Sequence, residues 1–468
     1  MTKNKDFLGT EPVGKLLLKL SLPTIVAQII NMLYNLVDRI YIGHIPSSGS
    51  LQLTALGVCT SLILAVSAFA ALVGSGGGPL ASIAYGKGDK EKAERYLGAS
   101  FALLSLLGII LTIVMLLWNR PMLLAFGASD QTIDYAVDYM NIYAIGTLFV
   151  ELTLGLNMFI TGEGATTTGM LSVLIGAVLN IGLDPLFIFT FNMGVKGAAW
   201  ATVISQGVSC LWVLLFLCSK RSFWRLRIKM MVPSWPLVGS ILFLGSATFM
   251  MQISESILTV CFNTSLRKYG GDLAVGTMTI LFSLMQLAFL PLAGLGQGAQ
   301  PIISYNYGAG NKERIKHAFK DLVIISLSFS LLLWAFVMAF PRVFASIFTS
   351  DETLLDHVVT PARIYAACIG IFGIQMACQQ TFTAIGDAKS SLAAAVMRKF
   401  ILLIPLIYIV PLLWKDNPEY GVYLAEPIAD ALAVSFTATL FYFRFKHALA
   451  KMDEGANQKE NIPATSTK

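Results

Sequence analysis

Residues 74–98 read GSGGGPLASIAYGKGDKEKAERYLG, and residues 296–320 read GQGAQPIISYNYGAGNKERIKHAFK. At a constant offset of 222 residues, Gly74 matches Gly296, Gly76 matches Gly298, Pro79 matches Pro301 and Ser82 matches Ser304. Tyr85 and Gly86 likewise match Tyr307 and Gly308, and Lys90 and Glu91 match Lys312 and Glu313. The offset still holds at Arg120 and Arg342, at the triplets Ile142–Ala144 and Ile364–Ala366, and at Gly164 and Gly386. A gapless register this long means that the chain contains one unit twice. Repeated halves in a membrane protein are characteristic of secondary transporters, which place the substrate site between the halves.

The composition agrees with a membrane setting. The 468 residues are 56% hydrophobic and only 13% charged, against about 25% charged in soluble domains. Apolar runs long enough to span a bilayer fall near 20–43, 53–76, 97–118, 139–160, 170–190 and 198–218. A second set falls near 237–262, 273–297, 322–340, 362–383, 391–413 and 422–443. The expected fold is an all-α polytopic membrane protein with twelve transmembrane helices in two six-helix bundles. Six spans per half is an even number, so both halves enter the membrane in the same direction and the repeats are parallel-related.

Lys and Arg set the orientation. Of the 33 such residues, 23 fall on the side that carries both termini, and only Arg120, Lys196, Arg267, Lys268, Arg342 and Lys415 fall on the other. Both termini are therefore expected in the cytoplasm. The expected division is an N-terminal bundle over 1–218, a basic cytoplasmic linker over 219–236, a C-terminal bundle over 237–447 and a disordered tail over 448–468. The six cysteines lie in apolar segments without metal-type spacing, and no disulfide framework is suggested.

Polar residues within the spans carry the functional signal, because a charge at the centre of a spanning helix costs at least about 2.5–3.5 kcal/mol. Gln28, Asn31, Asn35 and Asp38 are spaced by three, four and three residues and share one helical face. In the seventh span Thr248, Gln252, Glu255 and Thr259 form a second one-sided stripe. Asn180 and Asp184 share a face of the fifth span, just before Pro185, and Thr202 lies in the sixth. A proline there bends the helix and frees backbone groups, which is tolerated where a helix lines a cavity. The bland alternative for all of these is interhelical hydrogen bonding. The acids do not obey the repeat: Asp184 maps onto Leu406, Asn180 onto Leu402 and Thr202 onto Leu424, and Glu255 maps back onto Leu33. The scaffold is duplicated while the charged chemistry has diverged.

Weaker signals surround these. Arg39, Arg363, Arg398 and Lys399 lie near span ends, where long cationic stems reach out to the interface. Glu426 and Asp430 share a face of the twelfth span and read equally well as interior or interfacial. Glu163 reads as part of a cytoplasmic turn. His44, His317, His357 and His447 all lie outside the spans or at their edges, and no zinc motif or nucleophilic pair appears, so an enzyme is not expected.

NLVDRIYIGH in the first span, LNIGLDPLFIFTFNMGVKGAAWATVISQ at 179–206 and the paired YGKGDKEKA and YGAGNKERI loops resemble the bacterial multidrug and toxic compound extrusion (MATE) family. The resemblance covers roughly 12–445. It implies two bundles around a central cleft that opens alternately to each side. It also implies export of small organic cations, often aromatic, driven by inward Na+ or H+. The family's N-terminal cation site matches Asp38, Asn180, Asp184 and Thr202, and a glutamate of its seventh helix matches Glu255. A third acid of some members has no match in 362–383, where Gln375, Gln379 and Gln380 stand. With Glu255, the residues Gln28, Asn31, Asn35 and Gln252 are candidates for a substrate or second cation site.

Two carboxylates, an amide oxygen and a hydroxyl suit Na+, since hard cations take oxygen ligands. Paired acids also suit a shared proton, because two adjacent negative charges oppose each other. The sequence leaves the two open. No cofactor beyond the coupling ion and no nucleic-acid partner are expected. A monomer in the bacterial cytoplasmic membrane is the expected unit. The rival is a lipid-linked oligosaccharide flippase of the same superfamily, whose anionic cargo calls for cationic residues in the cleft.

Overall fold

The computed structural model describes residues 6–46, 49–232, 234–349 and 351–460, and among these there is no β-strand. A short helix at Phe7–Thr10 precedes α1 (Val13–Gly43), α2 (Gly49–Gly86), α3 (Lys90–Ala125), α4 (Ile133–Gly162), α5 (Thr166–Pro185) and α6 (Val195–Cys218). The continuous helix Trp235–Ala309 is 75 residues long, about 110 Å at 1.5 Å per residue and far more than one crossing of a ~30 Å hydrocarbon core. It breaks at Gly271, whose φ of 67° and ψ of −155° are open only to glycine. We number its two arms α7 (235–270) and α8 (271–309).

Then follow α9 (Lys312–Ala339) and α10, a span bent by 50° between Glu352–Tyr365 and Ile369–Ala384. Helix α11 comprises Ala388–Val396, a wide π-helical stretch at Met397–Leu403, and Ile404–Leu413. The last helix is α12 (Pro418–Glu460). With the long helix counted as two crossings and the bent pair as one, the described residues form twelve spans, as the sequence indicates.

The duplication is visible atom by atom. Asp89 caps α3 by accepting from the Lys92 amide, and Asn311 caps α9 by accepting from the Arg314 amide, 222 residues on. Each cap follows a left-handed glycine, Gly88 at φ 83° and Gly310 at φ 82°. Ser82 donates to the Gly162 carbonyl, and its counterpart Ser304 donates to that of Ala384 at 2.7 Å.

The bundles join at one end only. One apolar core there draws on both halves, from Leu16, Val73 and Phe159 to Ile241, Ile302 and Ala384. At the far end each bundle has its own core, around Tyr139 and Met140 in one and Phe262 and Met278 in the other. Thr24 donates to the Gly294 carbonyl at 2.6 Å and Ser21 to that of Leu295 at 3.2 Å. Glycine makes the closest approaches possible: a methyl at Gly245 would overlap the Leu72 carbonyl, and one at Gly86 that of Tyr305. The joined end carries the first helix and the end of α12, so the cleft opens away from it.

The connector is more ordered than a basic linker requires. Trp224 and Phe223 are buried, and Tyr85 stacks on Phe223 with ring centroids 5.4 Å apart. Glu163, at the end of α4, accepts from the Ser222 hydroxyl and the Phe223 amide, both at 2.8 Å. The disordered tail expected from 448 is corrected in its first part. Helix α12 runs on to Glu460, and Ala448, Leu449 and Met452 pack against the shared core. Residues 461–468 lie outside the described residues.

Candidate cation and substrate sites

Three helices of the N-terminal bundle bring the first candidate set together. Asn180 and Asp184 lie one turn apart on α5, and both are buried. The Asn180 amide donates to Asp184 Oδ1 and to Thr202 Oγ1, each at 3.4 Å. Asp38 on α1 is buried and close enough to Asp184 for their charges to interact. Pro185 ends the regular part of α5, which continues as a π-helical turn at Leu186–Thr190. Wide turns of this kind recur at functional positions, where they free backbone groups.

What distinguishes the set is unmet hydrogen-bonding capacity. Asp38 Oδ1, Asn180 Oδ1 and Asp184 Oδ2 are buried and have no hydrogen-bond partner. Buried polar atoms are nearly always satisfied, and an unsatisfied one costs about 1–3 kcal/mol, more if charged. Three orphan acceptors beside one another are what a small cation or proton satisfies. A cavity of about 30 Å³, lined by Asn31, Tyr34, Asn157, Asn180, Thr202 and Gln206, adjoins them. That is room for a water molecule.

The remaining members of the α1 stripe separate. Asn31 reaches this cavity. Asn35 is exposed and donates to the Asn31 carbonyl at 2.7 Å, so it does not join Asp38. Gln28 donates to Gln297 of α8 at 3.3 Å and belongs to the contact that joins the bundles.

The C-terminal bundle departs further from expectation. Arg398 and Lys399 do not reach out to an interface. Both are buried. Arg398 Nε donates to Asp430 Oδ1 at 2.7 Å, and its Nη2 donates to Glu426 Oε1 at 2.8 Å. Glu426 and Asp430 are thereby interior residues. Lys399 pairs with Glu255, whose side chain is 56% exposed while that of Lys399 is 7% exposed. Gln252, one turn before Glu255, is half-buried, with an unpartnered Oε1. Interior cations, which the flippase reading calls for, are therefore present here.

Two residues escaped the sequence reading. Tyr139 on α4 is buried, within electrostatic reach of Asp38 and hydrogen-bonding reach of Thr202. Further along the same helix Glu151 is 0% exposed, and neither carboxyl oxygen has a partner. Tyr139, Tyr143, Thr147 and Glu151 are spaced four apart on one face, a signal that was readable but hidden in an aromatic-rich run.

Two duplicated bundles joined at one end, each with polar and charged side chains buried in its membrane-spanning part, fit a secondary transporter. The MatE family model matches residues 23–186 and again 247–409, once per half. The chain belongs to this family. Its relatives include the multidrug export protein MepA of Staphylococcus haemolyticus, 24% identical over 431 residues, 92% of this chain and 94% of that one. MepA of Staphylococcus aureus strain N315 is 26% identical over 439 residues, 93% of this chain and 95% of that one.

Among solved structures, an outward-facing multidrug resistance MATE family transporter superposes with a TM-score of 0.88 at 25% identity, covering 96% of this chain and 99% of that one. A Pyrococcus furiosus transporter of the MOP superfamily, described by the reverse polarity of its binding pocket, matches with the same TM-score, identity and coverage. The protein is a multi-pass membrane transporter and not an enzyme.

Proposed function

We propose that the protein exports small organic cations from the cytoplasm in exchange for inward Na+ or H+ held at Asp38, Asn180, Asp184 and Thr202. The observation that carries this reading is the trio of buried, unpartnered oxygens on Asp38, Asn180 and Asp184. Both termini are cytoplasmic in this account, so the cleft is open to the outside, as in the outward-facing relative. The ion and the cargo must favour different states, since a ligand shifts an equilibrium only by its differential affinity. An ion between α1 and α5 draws the two helices together and disfavours the cargo-loaded open state. Glu255, exposed at the cleft wall, selects cationic cargo with Gln252 beside it.

Asp38→Asn and Asp184→Asn are expected to abolish dye efflux from energised cells while leaving the protein in the membrane. Wild-type efflux by both variants would refute the proposal.

One observation favours a second reading. Arg398 and Lys399 line the C-terminal bundle, and a neighbour of this fold has a pocket of reversed polarity. Both cations are nevertheless engaged by carboxylates, and Glu255, Glu426 and Asp430 outnumber them. Transport of anionic lipid-linked cargo with no response to organic cations would move the assignment to a flippase.

A further inference from the structure

We propose that Lys399 is a tethered competitor for cationic cargo: its ammonium occupies Glu255 at the cleft wall, and an organic monocation binds by displacing it. This rests on the reading that cargo enters the cleft beside Glu255. The ion pair straddles the wall of the C-terminal bundle. The Glu255 side chain is 56% exposed, and the Lys399 side chain, 7% exposed, reaches it from the bundle interior. A lysine side chain is an alkylammonium on a flexible stem. Chemically it resembles the amines and quaternary cations that would compete with it.

Charge counting shows where the displaced ammonium goes. The cluster holds two cations, Arg398 and Lys399, and three carboxylates, Glu255, Glu426 and Asp430. Arg398 alone is shared between Glu426 and Asp430, so that inner pair of acids carries one negative charge in excess when both are ionised. Glu426 lies within electrostatic reach of both Lys399 and Glu255. When a monocation takes Glu255, Lys399 can retire to Glu426, and three cations then face three carboxylates.

Among the described residues, the uncharged side chains of Tyr365, Cys368 and Phe372 of α10 also lie by the cluster, with the Arg398 guanidinium 4.9 Å from the Phe372 ring centre. Lys399 sits in the π-helical stretch Met397–Leu403, whose looser hydrogen bonding suits a side chain that changes partner. The free Oε1 of Gln252 offers an arriving N–H an acceptor one turn away. In the N-terminal half the positions of Arg398, Glu426 and Asp430 are Gly176, Ile204 and Val208, so the device belongs to one bundle only.

The test is equilibrium binding of ethidium, a monovalent fluorescent cation, to the purified full-length protein, followed by fluorescence polarisation without any gradient. Lys399→Met removes the competitor and is expected to tighten binding by up to about tenfold, as for a site otherwise open about a tenth of the time. Lys399→Gln serves as a second neutral variant should the methionine disturb folding. Lys399→Arg keeps a cation at the site and is expected to bind as weakly as wild type. Glu255→Gln is expected to weaken binding, and adding Lys399→Met to it should then change nothing. Unchanged or weaker binding by both neutral variants overturns the proposal, as does equal tightening with Glu255 already replaced. A wild-type protein that binds no organic cation would instead refute the cargo assignment itself, and the competition by Lys399 with it.

Discussion

At the residue scale, the account turns on polar atoms that lack partners. Asn180 holds its two bonds through its amide nitrogen and leaves its oxygen free. Asn180→Leu deletes both, and the free oxygen with them, and is expected to cost more efflux than Thr202→Val, which deletes one of the two Asn180 bonds and a bond within α6 to the Ala198 carbonyl; initial rates of dye export compare the two. Glu151 sits in a setting that suits a neutral side chain, since α2 and the spanning part of α3 bring no charged residue to it. Glu151→Gln is expected to leave thermal stability within about 1 kcal/mol, whereas Glu151→Lys forces in a charge without a partner and should prevent folding. Arg398 is the reverse case. Arg398→Ala strands two buried carboxylates and is expected to cost about 3–5 kcal/mol, read as a fall in melting temperature.

How far these residues were legible depended on local spacing. Asp38, Asn180 and Asp184 announced themselves because an acid or amide at helical spacing inside an apolar run has few explanations. The Arg398 cluster did not. Its partners lie 28 and 32 residues further along the chain, and a cation near a span end reads more simply as a stem reaching for water. Glu151 was concealed by the tyrosines that share its face.

At the scale of elements, glycines set where helices touch. Gly245 of α7 meets the Leu72 carbonyl of α2, and Gly86 of α2 meets that of Tyr305 on α8. Gly245→Val is expected to push the bundles apart at the joined end and raise the population of the state open there; spin-label distances between α2 and α7 would lengthen. Asp387, in the turn between α10 and α11 and outside the spans, ties that turn to α12. Partial burial raises its carboxyl, but hydrogen bonds from Arg444 and Ser390 outweigh this and hold it below the ordinary aspartate range. A lowered carboxylate stabilises the fold above its unfolded value, and the contribution is lost as pH falls through the folded one. The tie should therefore persist at neutral pH and weaken only on strong acidification, and Asp387→Asn should remove that acid-dependent part of a melting profile. The breaks at Gly271 and Pro185 were foreshadowed by glycine and proline in the sequence. The π-helical stretch at 397–403 was not, because no residue there marks it.

At the scale of the whole molecule, one fold carries two different interiors. The halves share caps, turns and close approaches, which is why the duplicated architecture could be read from a constant offset. Their interiors have diverged. One holds unpartnered acceptors on Asp38, Asn180 and Asp184, and the other holds an ion-paired network around Arg398. This division suits an exchanger in which one half responds to the coupling ion and the other to the charge of the cargo. With both termini in the cytoplasm, as proposed above, the joined end and the separated far end correspond to the outward-open member of its pair of states.

Export is proposed to be driven by ion occupancy at Asp38 and Asp184. The most direct measurement is efflux of a fluorescent organic cation from proteoliposomes containing wild type or Asp38→Asn, with Na+ and H+ gradients imposed separately. The account predicts that one gradient drives efflux by wild type and that Asp38→Asn abolishes the response. Equal gradient-driven efflux by both proteins would contradict it.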